Sequence, residues 1–144
     1  MLTFAMQFLA IFTCAIFSGA AIYINLVEHP ARLSCGIELA LTEWVPSYKR
    51  ATIMQASLAI IGFASAFVVW LINSNIEWLI GGVLLGLVVP YTLIGIMPTN
   101  KRLLSQALDK PLEEARYLLI KWGYMHMVRS VLSTSALIIF LLNR

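Results

Sequence analysis

Residues 53–97 read IMQASLAIIGFASAFVVWLINSNIEWLIGGVLLGLVVPYTLIGIM, two apolar runs, Ile53–Ile72 and Ile76–Met97, parted only by Asn73-Ser74-Asn75. Each run is close to the ~20 residues a helix needs to cross a ~30 Å hydrocarbon layer. Three polar residues between them leave room for nothing but a tight turn, so the stretch predicts a transmembrane helical hairpin. Backbone N–H and C=O groups in lipid must be paired within their own segment, and at this length only helices do that.

Two further apolar runs flank the hairpin, Leu2–Val27 and Tyr124–Leu142. The chain of 144 residues therefore predicts one all-α domain, residues 1–144, with spans at about 3–27, 53–72, 76–97 and 124–142. The expected fold is an integral-membrane, up-and-down four-helix bundle. Composition agrees: 60% of residues are hydrophobic, 12% are charged, and the mean hydropathy is +0.86. A soluble domain carries about a quarter charged residues, so a water-soluble enzyme, a disordered tail and a nucleic-acid partner are excluded. The first run offers small residues at Ser18-Gly19-Ala20-Ala21, as a signal cleavage site does. It has no Lys or Arg before its core, and that core is too long for a signal h-region, so a retained helix is expected. Cys14 and Cys35 form neither a CxxC pair nor a zinc spacing and read as small fillers.

The connections are unequal. Glu28–Arg50 and Pro98–Gly123 are long, and an up-and-down topology puts both at the same membrane side. That side collects Arg32, Lys49, Arg50, Lys101, Arg102, Lys110, Arg116, Lys121 and Arg129, nine of the ten basic residues, leaving Arg144 opposite. The positive-inside rule then places both long loops in the cytoplasm and both termini outside, as in a bacterial inner membrane. In the first loop Leu33, Ile37, Leu41 and Trp44 recur at helical spacing and predict a short interfacial helix. In the second, Asp109 as N-cap, Pro111, and the acidic pair Glu113 and Glu114 predict a helix start. From there the fourth helix is expected to run about 33 residues, ~50 Å, and to project into the cytoplasm. Trp44, Tyr48, Trp78, Trp122 and Tyr124 sit near span ends, where interfacial anchors belong. Gly82 with Gly86, Gly62 with Ala66 and Ala15 with Gly19 predict close helix approach, and the first pair offers a homodimer face.

No ionisable group lies in the middle of a span, which weighs against a proton-coupled antiporter. Polar residues gather instead at the cytoplasmic ends. These are Asn25, Glu28 and His29 on the first helix, and Tyr48, Thr52 and Gln55 on the second. The third helix ends in Tyr91 and Pro98-Thr99-Asn100, and the fourth begins with Trp122, His126, Arg129, Ser130 and Ser133 along one stripe. Arg129 sits about one to two turns inside the apolar span, where a charge needs a partner or must snorkel. Glu28 is the expected partner, flanked by His29 and His126 as acid or base. The candidate catalytic set is thus His29, His126, Glu28 and Arg129. The candidate substrate-binding set is Asn25, Tyr48, Gln55, Tyr91, Asn100 and Trp122. A plainer alternative is a polar rim with a snorkelling arginine and interfacial histidines. Glu28, His29 and His126 also have the composition of a two-His, one-carboxylate metal site. Neighbouring residues on a helix point about 100° apart, so no metal is expected and the trio stays an alternative.

Four segments carry a family likeness: Asn25–Pro30 (NLVEHP), Trp44 with Pro46-Ser47-Tyr48-Lys49-Arg50, Pro98-Thr99-Asn100-Lys101-Arg102-Leu103, and Trp122 with His126-x-x-Arg129-Ser130. Together they resemble the anthrone-oxygenase-like family of small four-span membrane proteins, most of them classed as a domain of unknown function. The resemblance implies oxidation of an anthrone to an anthraquinone by molecular oxygen, the activity linked to a few fungal members, with neither metal nor flavin. It implies His29 and His126 as proton-handling residues, with Asn100, Glu28 and Arg129 polarising or positioning a substrate. An aromatic substrate would suit Trp44, Trp122, Tyr48 and Tyr91. Removing an acidic C–H proton beside a carbonyl gives a carbanion able to react with oxygen, so a base and a stabilising cation could suffice. The expectation is a cofactor-independent oxygenase on a lipophilic aromatic substrate, with the bilayer and that small molecule as partners. Two alternatives stand beside it: a non-catalytic subunit or stabilising partner of a membrane complex, and a small dimeric transporter.

Overall fold

Each apolar run lies within a longer helix that extends past it at the end joined by the long connections. The computed structural model describes residues 1–106 and 111–144. It holds four long helices: α1 (Leu2–Ser34), α2 (Ile37–Asn73), α3 (Ile76–Ser105) and α4 (Leu112–Leu142). All four are long and apolar enough to cross a membrane, and no strand occurs among the described residues. Helix α1 packs on α2 and α4, and α3 packs on the same two, which closes an up-and-down four-helix bundle. Its outward faces are apolar, with Phe4, Phe8, Leu71, Ile94 and Leu142 exposed, as an integral membrane protein requires.

The hairpin turn forms as its sequence demands. Ser74 takes a left-handed conformation (φ 55°), and the Asn75 side chain caps α3 by accepting from Glu77 N at 3.0 Å. The α1–α2 connection is different from the expected long loop with its own interfacial helix. Residues 29–34 extend α1, and α2 is already helical at Ile37, so only Cys35 and Gly36 lie between. Gly36 (φ 92°) makes the reversal, a conformation that a side chain would disfavour. The helical spacing of Ile37, Leu41 and Trp44 is the first part of α2 itself. These residues have a core to face: Ala40 and Trp44 are fully buried against Leu118, Leu119 and Trp122 of α4. Helix α4 spans 31 residues, ~46 Å, with Glu113 and Glu114 in its first turn and Pro111 at the capping position. Asp109, expected there as the cap, lies outside the described residues.

Two π-helical turns interrupt the bundle at one level, Ile24–Glu28 in α1 and Thr92–Ile96 in α3. Each is followed by X-Pro, His29-Pro30 in one case and Met97-Pro98 in the other. A proline ring lacks an N–H and crowds the carbonyl four residues back, and a locally widened helix absorbs both.

Small residues set the helix spacing. A methyl on Gly62 would stand 2.5 Å from Leu85 and 2.8 Å from the Thr13 hydroxyl. Gly82 and Gly86 face Ala66 and Phe63 of α2, so this pair is used inside the chain. Three expected interfacial anchors prove to be core. Trp78 stacks on Phe140 (5.1 Å) and donates to Asn143 O at 3.1 Å, while Trp44 and Trp122 meet edge to face at 5.8 Å. Helices longer than their apolar runs carry Trp44 and Trp122 inside the packed bundle, whereas Trp78 lies within its run and is covered by Phe140 of α4; Tyr124 stays largely exposed.

Candidate functional site

The π-helical turn of α1 aims Asn25 at α4. The Asn25 amide Nδ2 donates to the Gly123 carbonyl at 3.0 Å, which fixes the amide orientation. Oδ1 is then an acceptor, taking the Ser130 hydroxyl at 2.6 Å and His126 Nδ1 at 2.9 Å. An amide oxygen cannot donate, so Nδ1 of His126 carries the proton and Nε2 of the neutral ring keeps its lone pair. His29, one turn on in α1, donates Nε2–H to the Leu119 carbonyl at 2.9 Å. Its Nδ1 is buried and has no partner among the described residues. The His29 ring fits only because residue 123 is glycine: a Cβ there would lie 2.7 Å from the ring. Trp122 lies between the two imidazoles, 5.1 Å from His29 and 4.9 Å from His126. Trp44 meets Trp122 and carries Tyr48 stacked on its other side at 4.8 Å.

These rings border a small cavity of about 20 Å³ lined by Trp44, Tyr48, Gln55, Trp122, His126 and Arg129 among others. Arg129 donates to Gln55 Oε1 at 2.6 Å and lies over the Phe17 ring, 5.4 Å from its centroid. That leaves a surplus of donors. Trp44 Nε1, Gln55 Nε2 and Arg129 Nε are all buried without an acceptor among the described residues. Buried N–H groups without acceptors are costly, and a ligand oxygen or ordered water relieves that cost.

The expected Glu28–Arg129 pair does not form. Glu28 binds Arg32, one turn further along α1, and accepts from the Ser47 hydroxyl at 2.8 Å; Arg32 also binds Glu43. The Arg32 side chain is only 3% exposed. Proximity along one helix decides the matter: an i,i+4 guanidinium reaches Glu28 at little entropic cost, whereas Arg129 belongs to another helix. In the sequence Arg32 is legible only as one of the basic residues of the first long connection. The trio Glu28, His29 and His126 likewise does not converge, and no cluster of three His, Cys, Asp or Glu able to hold a metal occurs among the described residues.

Of the candidate residues, His126, Arg129, Glu28, Tyr48, Gln55 and Trp122 share the wall of one cavity. Asn25 stands behind His126 as its hydrogen-bond partner, and His29 is one aromatic ring away. Tyr91 is turned aside, donating to the Met125 carbonyl at 3.2 Å. Asn100 is fully buried with both amide atoms unpartnered among the described residues, away from this cavity wall. Trp44, Ser47 and Thr52 line the cavity too, and Gly123 provides the ring seat; in sequence they read as an anchor, a loop residue, a helix polar residue and a helix breaker.

Four apolar helices, with a histidine, an arginine and stacked aromatic residues around a buried cavity near one end, define a small integral membrane protein. The anthrone oxygenase family model matches residues 44–139, and the chain belongs to that family. It is 29% identical over 130 residues to an anthrone oxygenase of Claviceps purpurea, covering 80% of this chain and 74% of that protein. No solved structure matches.

Proposed function

We propose that this chain is a membrane oxygenase that takes a proton from an activated C–H of a lipophilic aromatic ketone and lets the carbanion react with molecular oxygen. The observation that carries this reading is the pairing on one cavity wall of a histidine whose Nδ1 is held by Asn25 with N–H groups of Arg129 and Gln55 that lack acceptors among the described residues. The His126 Nε2 lone pair is then the base, and the guanidinium and amide stabilise the enolate oxygen formed as the proton leaves. For an anthrone the reaction balances: the ring methylene and one molecule of oxygen give a ring carbonyl and one molecule of water. The carbanion adds oxygen to give a peroxide, His126 returns the proton to it, and loss of water takes the second C–H hydrogen and breaks the O–O bond. Family membership supports anthrones as the substrate class. The basic residues near this end of the bundle support a cytoplasmic opening.

The test is purified protein in phosphatidylcholine nanodiscs with anthrone and ¹⁸O-labelled oxygen gas. The expected result is anthraquinone carrying a single ¹⁸O atom, and a His126→Gln variant slower by about 10²–10⁴-fold, the usual contribution of a general base. Absence of turnover above the spontaneous rate, or equal turnover in the variant, overturns the reading.

A further inference from the structure

Beyond the Arg129–Gln55 pair lies a second, larger chamber of about 70 Å³ that shares Thr52, Gln55 and Arg129 with the first. Its remaining walls are apolar, Phe17, Ala56, Val88, Val89, Leu93 and Met97, apart from Thr92, whose hydroxyl donates to the Val88 carbonyl at 2.6 Å. It lies between α2 and α3, where the close packing of Gly82 and Gly86 on Ala66 and Phe63 has ended and the π-helical turn Thr92–Ile96 widens α3. Leu93 at its edge is 58% exposed and Ile94 beside it 79%, so the mouth opens on the outer, lipid-facing side of the bundle. The way toward the end of the bundle is different in character: the Arg32, Glu28, Glu43 and Ser47 cluster, tied by ion pairs and hydrogen bonds, stands there.

We propose that this chamber binds an apolar outer ring of the substrate, which enters from the bilayer between α2 and α3 with its oxygen directed to Arg129 and Gln55. The inference deepens the oxygenase reading, from which it takes the reacting end of the molecule. A lipophilic ketone partitions into the hydrocarbon layer, so its working concentration is higher at a lateral apolar mouth than at a polar one. Gln55 Nε2 and Arg129 Nε, without acceptors among the described residues, belong to side chains that line both chambers, so an outer ring in the second chamber sets the central ring at their junction with its oxygen on these donors. The methylene, on the opposite edge of that central ring from the oxygen, then faces the cavity of His126.

The experiment uses benzophenone, an aromatic ketone that labels C–H bonds on illumination, supplied in phosphatidylcholine vesicles that hold the full chain. Saturable labelling of Val89, Leu93 or Met97, displaced by anthrone, is the expected result, beside unsaturable labelling of lipid-facing Phe8. Val89→Phe and Ala56→Leu, which fill the chamber, reduce the saturable part about tenfold or more, as does Gln55→Leu. Chamber labelling that does not saturate in the wild-type chain, or that anthrone fails to displace, overturns the proposal without reference to any variant. Anthrone turnover measured in the same vesicles separates the two ideas. Saturable labelling without turnover keeps the chamber and removes the oxygenase reading. Turnover unchanged in folded Val89→Phe and Ala56→Leu keeps the oxygenase and removes the chamber.

Discussion

Gly123→Ala is the sharpest perturbation of the site, because its sign depends on one neighbour. In an open helix interior the change stabilises by about 0.5–1 kcal/mol, since alanine loses less backbone freedom. Here the new methyl would lie 2.7 Å from His29 Cδ2 and 2.8 Å from Nε2, about 1 Å inside ordinary contact. The ring cannot simply swing away: Nε2 is held by the Leu119 carbonyl and the face lies against Trp122. Overpacking of this kind costs about 1–3 kcal/mol, and displacing the ring weakens a hydrogen bond of about 1 kcal/mol. The expected net effect is a loss of about 1–3 kcal/mol. In a His29→Ala background the obstacle is gone, and the same change is expected to stabilise by about 0.5–1 kcal/mol. The coupling between the two sites is then about 2 kcal/mol or more. Reversible unfolding in detergent micelles, followed by tryptophan fluorescence for the wild type, both single variants and the double, measures it. If Gly123→Ala stabilises both backgrounds alike, with coupling below about 0.5 kcal/mol, the glycine is not the seat of the His29 ring.

Three other outcomes follow from the same geometry. Asn25→Leu removes the acceptor of both His126 Nδ1 and Ser130, and should cost about 2–4 kcal/mol and most of the turnover. Asn25→Asp keeps the acceptor oxygens and should retain more of both, so equal losses in unfolding and turnover assays would remove Asn25 from its positioning role. Glu28→Ala and Glu43→Ala should each cost about 1 kcal/mol, since Arg32 keeps one carboxylate either way. The double variant leaves a buried guanidinium without a carboxylate and should cost about 3–5 kcal/mol, so additive losses in denaturant titrations would show that Arg32 finds water. Gly81→Ala, whose methyl would meet the Phe140 ring at 2.6 Å, should lower the midpoint of thermal unfolding without changing ligand affinity; a raised midpoint would refute that packing.

How much can be read from the chain alone differs by the range of the interaction concerned. The four spans, the Asn73–Asn75 turn and the gathering of polar residues at one end are all legible, because lipid imposes length and hydropathy on each segment independently. His126, Arg129, Gln55 and Trp122 are legible as site candidates for the same reason: polar side chains at membrane depth stand out against an apolar background. That residues 29–50 continue α1 and α2 is not: the helical spacing of Leu33, Ile37, Leu41 and Trp44 reads as a separate interfacial helix. Those residues are too polar to read as a span, and their helix is secured by Arg32 ion pairs and by Trp44 buried against α4. The partner of Arg129 escapes the sequence for a related reason. Opposite charges suggest Glu28, but the helix already supplies Arg32 to that carboxylate, leaving Arg129 to Gln55.

The π-helical turns belong between these cases, since Pro30 and Pro98 mark where a helix must adjust but not which way its side chains then face. The amino-acid sequence by itself thus determined the membrane class, the number of helices, their alternating direction and the end at which chemistry could occur. Tertiary structure decided the rest: the Asn25 orientation that sets the His126 tautomer, the glycine seat of His29, and the Gln55–Arg129 junction of two chambers. Hydropathy acts on each segment by itself, whereas hydrogen bonds and ring contacts across 74–105 residues exist only once the helices have packed.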